Sequence, residues 1–143
     1  MESSEINEKI REGALKARLI IEIVGSPEEH VKKTIEGKLK EIEEKFEVIE
    51  KELAEPQKVS EKFYSSFIEA EVLFSDLSSL MGFIFDYMPS SVEILEPEEI
   101  TEDTQLLTEI LNDLATRLHQ SSEAIIRLKA MNALLNKKVE KKD

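Results

Sequence analysis

Two histidines, an excess of carboxylates and no cysteine bound the chemistry open to this chain of 143 residues. His30 follows Glu28 and Glu29, a run that could offer oxygen and nitrogen ligands to a metal. Such a site needs several convergent groups, and nothing in the sequence brings His119 to His30. His30 is expected on the surface, in the first turn of a helix. His119 follows Leu118 of the seam and is expected as a flanking residue; tuning of an interface by its protonation is the other reading. Glu69 and Glu71 alternate on one strand. Paired carboxylates do acid–base work when burial separates their proton affinities; on an open strand face they meet water or a partner's lysines, which is the expectation here. Phe83 and Tyr87 stand off the main stripe of their helix, to line a pocket or to pack; packing is expected. Without cysteine there is no disulfide, thiolate metal site or thiol nucleophile. No Gly-rich phosphate loop, HExxH pair or Ser-His-Asp order occurs. No catalytic, cofactor-binding or metal-ligating residue is therefore assigned, no cofactor is implied, and the chain is read as a non-enzyme.

The elements that hold these residues follow from apolar spacing. Residues 1–13 form a polar leader. "ARLIIEIVG" alternates as a strand, with Leu19, Ile21 and Ile23 on one face and Arg18 and Glu22 on the other. Ser26 is the expected N-cap and Pro27 the first residue of a helix whose stripe is Val31, Ile35, Leu39, Ile42 and Phe46. "FEVIEKELAEPQKV" reads as an edge strand broken by Pro56. "FYSSFIEAEVLF" is a clearer strand, with Ile68, Ala70, Val72 and Phe74 opposite Glu69 and Glu71. Ser75 or Asp76 caps a second helix with the stripe Leu77, Leu80, Met81, Ile84, Phe85 and Met88, which Pro89 ends. "SVEIL" is the fourth strand. This β-α-β-β-α-β order predicts an α+β, ferredoxin-like domain over residues 14–101, with Ile21, Val72, Leu80, Ile84 and Ile94 in one core.

Residues 102–143 differ. Leu107, Leu111, Leu114, Leu118, Ser121, Ile125, Leu128, Asn132, Leu135 and Val139 follow 4, 3, 4, 3 spacing, a heptad-like seam. One long helix is expected, with a hairpin starting at Ser121 or Ser122 as the alternative. Acids precede the segment and lysines close it, which suits the dipole of one helix. Asn132 at a seam position would fix register or strand number. Leu106, Ile110, Ile126, Met131 and Leu134 widen the stripe, so more than one neighbour is conceivable. The residues expected at an interface are Leu107, Leu111, Leu114, Leu118, Ile125, Leu128, Asn132 and Leu135.

The stretch "FSDLSSLMGFIFDYMPSSVEILEPEEI", chiefly Val92 to Ile100, resembles the closing part of the ferredoxin-like C-terminal extension of WYL-domain transcription regulators. The helix-turn-helix and barrel of those regulators have no counterpart here. The resemblance implies a regulatory or dimerising module, and no functional residue carries over.

The net charge of -12 falls unevenly. Residues 1–101 hold 24 acids and 12 bases, whereas residues 102–143 hold seven of each. An acidic body repels phosphate, so neither nucleic acid nor an anionic membrane is an expected partner. The polar first residues are unlike a signal peptide, no apolar run approaches the roughly 18 residues of a membrane span, and the lack of cysteine suits a reducing cytoplasm. The sequence thus reads as a cytoplasmic, homo-oligomeric interaction or regulatory module, with a further protein partner possible. The alternative is a sensor binding a small metabolite at a ferredoxin-like dimer interface. On charge grounds, the chain should show no saturable binding to labelled duplex DNA or RNA in fluorescence anisotropy at physiological salt; a micromolar isotherm would overturn this reading.

Overall fold

Every second residue from Leu15 to Ile21 is buried, and this period of two sets the sheet. The structure, a computed structural model, describes residues 2–142. Along the chain come α1 (Ser3–Arg11), β1 (Leu15–Gly25), α2 (Glu28–Lys45), β2 (Glu47–Leu53), β3 (Gln57–Lys58), β4 (Tyr64–Phe74), α3 (Leu77–Tyr87), β5 (Ser91–Glu96) and α4 (Thr104–Lys142). The chain divides into two units, a body ending at Ile100 and a second unit starting at Thr101.

In the body the strands lie in the order β2-β4-β1-β5, all antiparallel, with β3 pairing to β4 beyond the end of β2. β1 and β4 pair without a break from Leu15↔Phe74 to Gly25↔Tyr64. Directly opposed residues share a face, so Ala17, Leu19 and Ile21 join Ile68, Ala70 and Val72 on one side. Ile35, Leu39 and Ile42 of α2 and Leu80, Phe83 and Tyr87 of α3 cover that side. This is the ferredoxin-like arrangement, an α+β body followed by the long helix α4. The edge position expected for the strand before Pro56 also holds, because β2 ends the sheet.

Four local expectations change. The polar leader contains a helix: Ile6 and Ile10, four residues apart, set α1 against Ala14, Leu73 and Ile49. Gly13 ends it with φ +114, a conformation that favours glycine, and Ala14 N–H reaches back to Lys9 C=O at 2.9 Å. Ser26 does not cap α2. Pro27 is extended rather than helical and takes the N-cap position, its carbonyl accepting from the N–H groups of His30 and Val31.

The third change is a rotation of α3. Asp76 is its cap, Oδ1 accepting from Ser79 N–H at 2.8 Å. The buried residues are Leu80, Phe83 and Tyr87; Leu77 and Ile84 are half-buried, and Met88 is 80% exposed in a left-handed conformation that stops the helix before Pro89. The cause is aromatic. Phe83 meets Phe46 at 5.1 Å, Phe74 at 5.4 Å and Tyr87 at 4.7 Å between ring centroids, and these large rings outweigh the aliphatic stripe. Phe83 and Tyr87 therefore pack, as expected. The fourth change concerns Ile94, which pairs with Ala17 but is 40% exposed, because β5 is an outermost strand. Phe83→Ala should cost about 3–5 kcal/mol in urea unfolding, and half-buried Ile84→Ala about 1–2 kcal/mol. A larger loss at Ile84 would mean that α3 presents the other face.

Candidate functional site

The face of the sheet opposite α2 and α3 has three zones. At one end α1 covers Leu73 and Ile49. In the middle Arg18, on the outward phase of β1, meets carboxylates of both neighbouring strands. Its guanidinium lies 2.9 Å from Glu71, 3.3 Å from Glu93 and 3.6 Å from Glu69. Register explains the convergence: Arg18 is opposite Glu71 on β4 and opposite Glu93 on β5, with Glu69 two residues along. Glu50 and Glu52 of β2 pair with Glu71 and Glu69 and line the same shallow depression. The hydrogen bond to Glu71 raises the Arg18 proton affinity above its ordinary value against some desolvation, and the charges of Glu71, Glu93 and Glu69 add to it. At the far end, register puts Val24 and Phe67 on this same outward phase, and both are exposed.

Glu69 and Glu71 are thus partners of the chain's own Arg18, not a free acid–base pair. The sequence places Arg18, Glu69 and Glu71 on one face; it does not show that one cation serves three strands. Glu93, Glu50 and Glu52 were missed. Their signal was the same alternation, legible only once the strand order is known.

The histidines stay apart. His30 is exposed on α2, and His119 Nε2 lies 3.2 Å from Glu123 on exposed α4. Among the described residues no three His, Asp or Glu groups could hold a metal. A cleft of about 410 Å³ opens beside Lys9, Lys45, Phe46, Ser75 and Ser79. Its two lysines are engaged, Lys9 with Glu47 at 3.1 Å and Lys45 with Glu41 at 2.7 Å. Tyr87 also donates to Glu41 at 3.1 Å, tying α3 to α2. Lys45 first, and then Tyr87, holds the Glu41 carboxyl below the usual range.

The second unit is the single helix α4, so the hairpin alternative does not occur. Asp103 Oδ1 accepts from Leu106 N–H at 2.7 Å at its start. All eight expected interface residues lie on this one helix and are exposed or nearly so, Leu111, Leu118 and Leu128 by more than 60%. Ile125, Leu128, Met131, Asn132 and Leu135 line one continuous shallow surface, which puts Asn132 among the apolar seam side chains. Among the described residues no helix is long and apolar enough to cross a membrane.

A ferredoxin-like body with an acidic open sheet face, joined to one long helix with an apolar seam, is the class of protein that this geometry defines. The chain belongs to the MJ0538 family, matched over residues 16–142, which takes in both units. No curated protein and no solved structure matches it.

Removing the Arg18 charge tests the central zone. Arg18→Met leaves Glu69, Glu71 and Glu93 facing one another without their cation. Its stability deficit in urea unfolding should be largest at low salt and shrink as added salt screens the remaining charges. A deficit independent of salt would show that the guanidinium acts only through packing.

Proposed function

We propose that this chain is a non-enzymatic interaction module that assembles with copies of itself through α4. The supporting observation is the unbroken helix that carries the whole seam from Leu107 to Val139. Its exposed leucines, isoleucines and valine form an apolar surface of a kind that folded chains normally cover. The seam spacing of 4 and 3 is the pattern by which helices bury such surface against one another. A regulatory role rests on the resemblance of residues 74–100 to the WYL-regulator extension.

Assembly is tested by light scattering on the full chain. A dimer or higher oligomer is expected at micromolar concentration, and Leu128→Glu should weaken it at least tenfold by placing an unpaired charge in the seam. Circular dichroism of the variant should keep the helical signal of the body. A monomer at high micromolar concentration would remove the proposal.

A further inference from the structure

We propose that two copies pair antiparallel along α4, which joins one acidic body to each end of the pair. This rests on the self-association reading above and adds its geometry. The observation is a segregation of charge along the sequence of the second unit, whose residues from Thr104 to Lys142 form one continuous helix. Residues 102–124 carry five acids and one base, a net of −4; residues 125–143 carry two acids and six bases, a net of +4. The seam crosses both halves, so the charge pattern is independent of the apolar one.

Orientation follows from what each pairing brings together. A parallel pair sets −4 beside −4 and +4 beside +4. It also joins both bodies, each with 24 acids against 12 bases over residues 1–101, to the same end. An antiparallel pair sets +4 beside −4 twice. It joins the two bodies to opposite ends of a helix of 39 residues, about 58 Å long at 1.5 Å per residue. The two points of attachment are thus several screening lengths of about 8 Å apart in physiological salt. It also brings the lysine-rich end of each helix to the acidic start of its partner.

The seam accepts this arrangement. Pairing about residue 123 sets Leu107 against the partner's Val139, Leu111 against the partner's Leu135 and Leu118 against the partner's Leu128. Every seam position then meets a seam position. The positions that border the seam carry only the bases Arg117, Lys129 and Lys138 and no acid, so close flanking ion pairs fix neither orientation, and the choice falls to the charge of the halves. Asn132 is the one residue that favours the parallel form, where it would face its own copy. In the antiparallel form it borders the partner's Leu114, at the cost of one amide per chain without its own copy as partner. That cost is outweighed by the reversal of charge along both halves and the separation of the two points of attachment.

The chain has no cysteine, so single introduced thiols report orientation. Leu107→Cys and Val139→Cys chains are oxidised separately and as an unfolded-and-refolded mixture. The antiparallel pair predicts cross-linked dimer in the mixture, of one Leu107→Cys and one Val139→Cys chain, and little in either sample alone. Cross-linking of each variant with itself, or of none of the three samples, overturns the pairing about residue 123. Light scattering before oxidation separates the two ideas: a monomer removes self-association itself, whereas a dimer that cross-links in parallel removes only the orientation. Salt gives an independent reading on the unmodified chain. Raising it to about 1 M, where screening acts within about 3 Å, should weaken an antiparallel dimer several-fold, and a dimer that tightens instead overturns the proposal.

Discussion

Six glutamates, Glu22, Glu50, Glu52, Glu69, Glu71 and Glu93, share one side of the sheet with a single central guanidinium, that of Arg18. Carboxylates in adjacent strands repel at the spacing that strand pairing imposes. Without a cation between them, β2, β4 and β5 would each carry an electrostatic cost for joining the sheet. Arg18 sits on β1, between β4 and β5, and reaches the acids of both. The dry side depends on the same pairing, because Ala17 and Leu19 flank Arg18 in sequence and lie under α2 and α3. One stretch of β1 therefore serves the core and the charged face at once.

Much of this was legible in the sequence because two periodicities are strong. Alternation in Leu15–Ile23 and Phe67–Phe74 gives the two central strands, and the 4, 3 spacing from Leu107 to Val139 gives α4. The parts that escaped are short-range or three-dimensional. Two isoleucines in a polar leader do not announce a helix until Leu73 is known to need a cover. The rotation of α3 depends on Phe46, 37 residues before Phe83, which no local stripe records. Ile94 has the right phase for the core, but its strand lies at the margin, and lateral position in a sheet is not encoded by phase. For the candidate site, the placing of the eight seam residues on one helix was readable outright, whereas the shared role of Arg18 required the strand order.

The two units are built on different physics. The body relies on burial around an aromatic cluster in which Phe46, Phe74, Phe83 and Tyr87 meet edge to face or tilted. A helix taken by itself has no such interior. α4 draws on its length, on leucine, alanine, lysine and glutamate as good helix formers, and on acids before its start and lysines at its end. Placing an apolar seam on such an element separates the stability of the body from any association of the helix. A substitution at Leu128 and one at Phe83 should accordingly act on different quantities.

The margins of the sheet have a consequence of their own. β2 carries a register shift between Val48 and Glu50, and the β1–β5 ladder carries one between Lys16 and Ala17. Pro56, which has no N–H to offer, interrupts the β2 margin before β3 resumes pairing, and Pro97 follows the last residue of β5. A foreign strand adding to either margin would find a ladder of backbone donors and acceptors that is short and out of step. Runaway fibre-like stacking of one sheet on the next is thereby discouraged, in a chain that leaves Val92 and Ile94 exposed on its outermost strand.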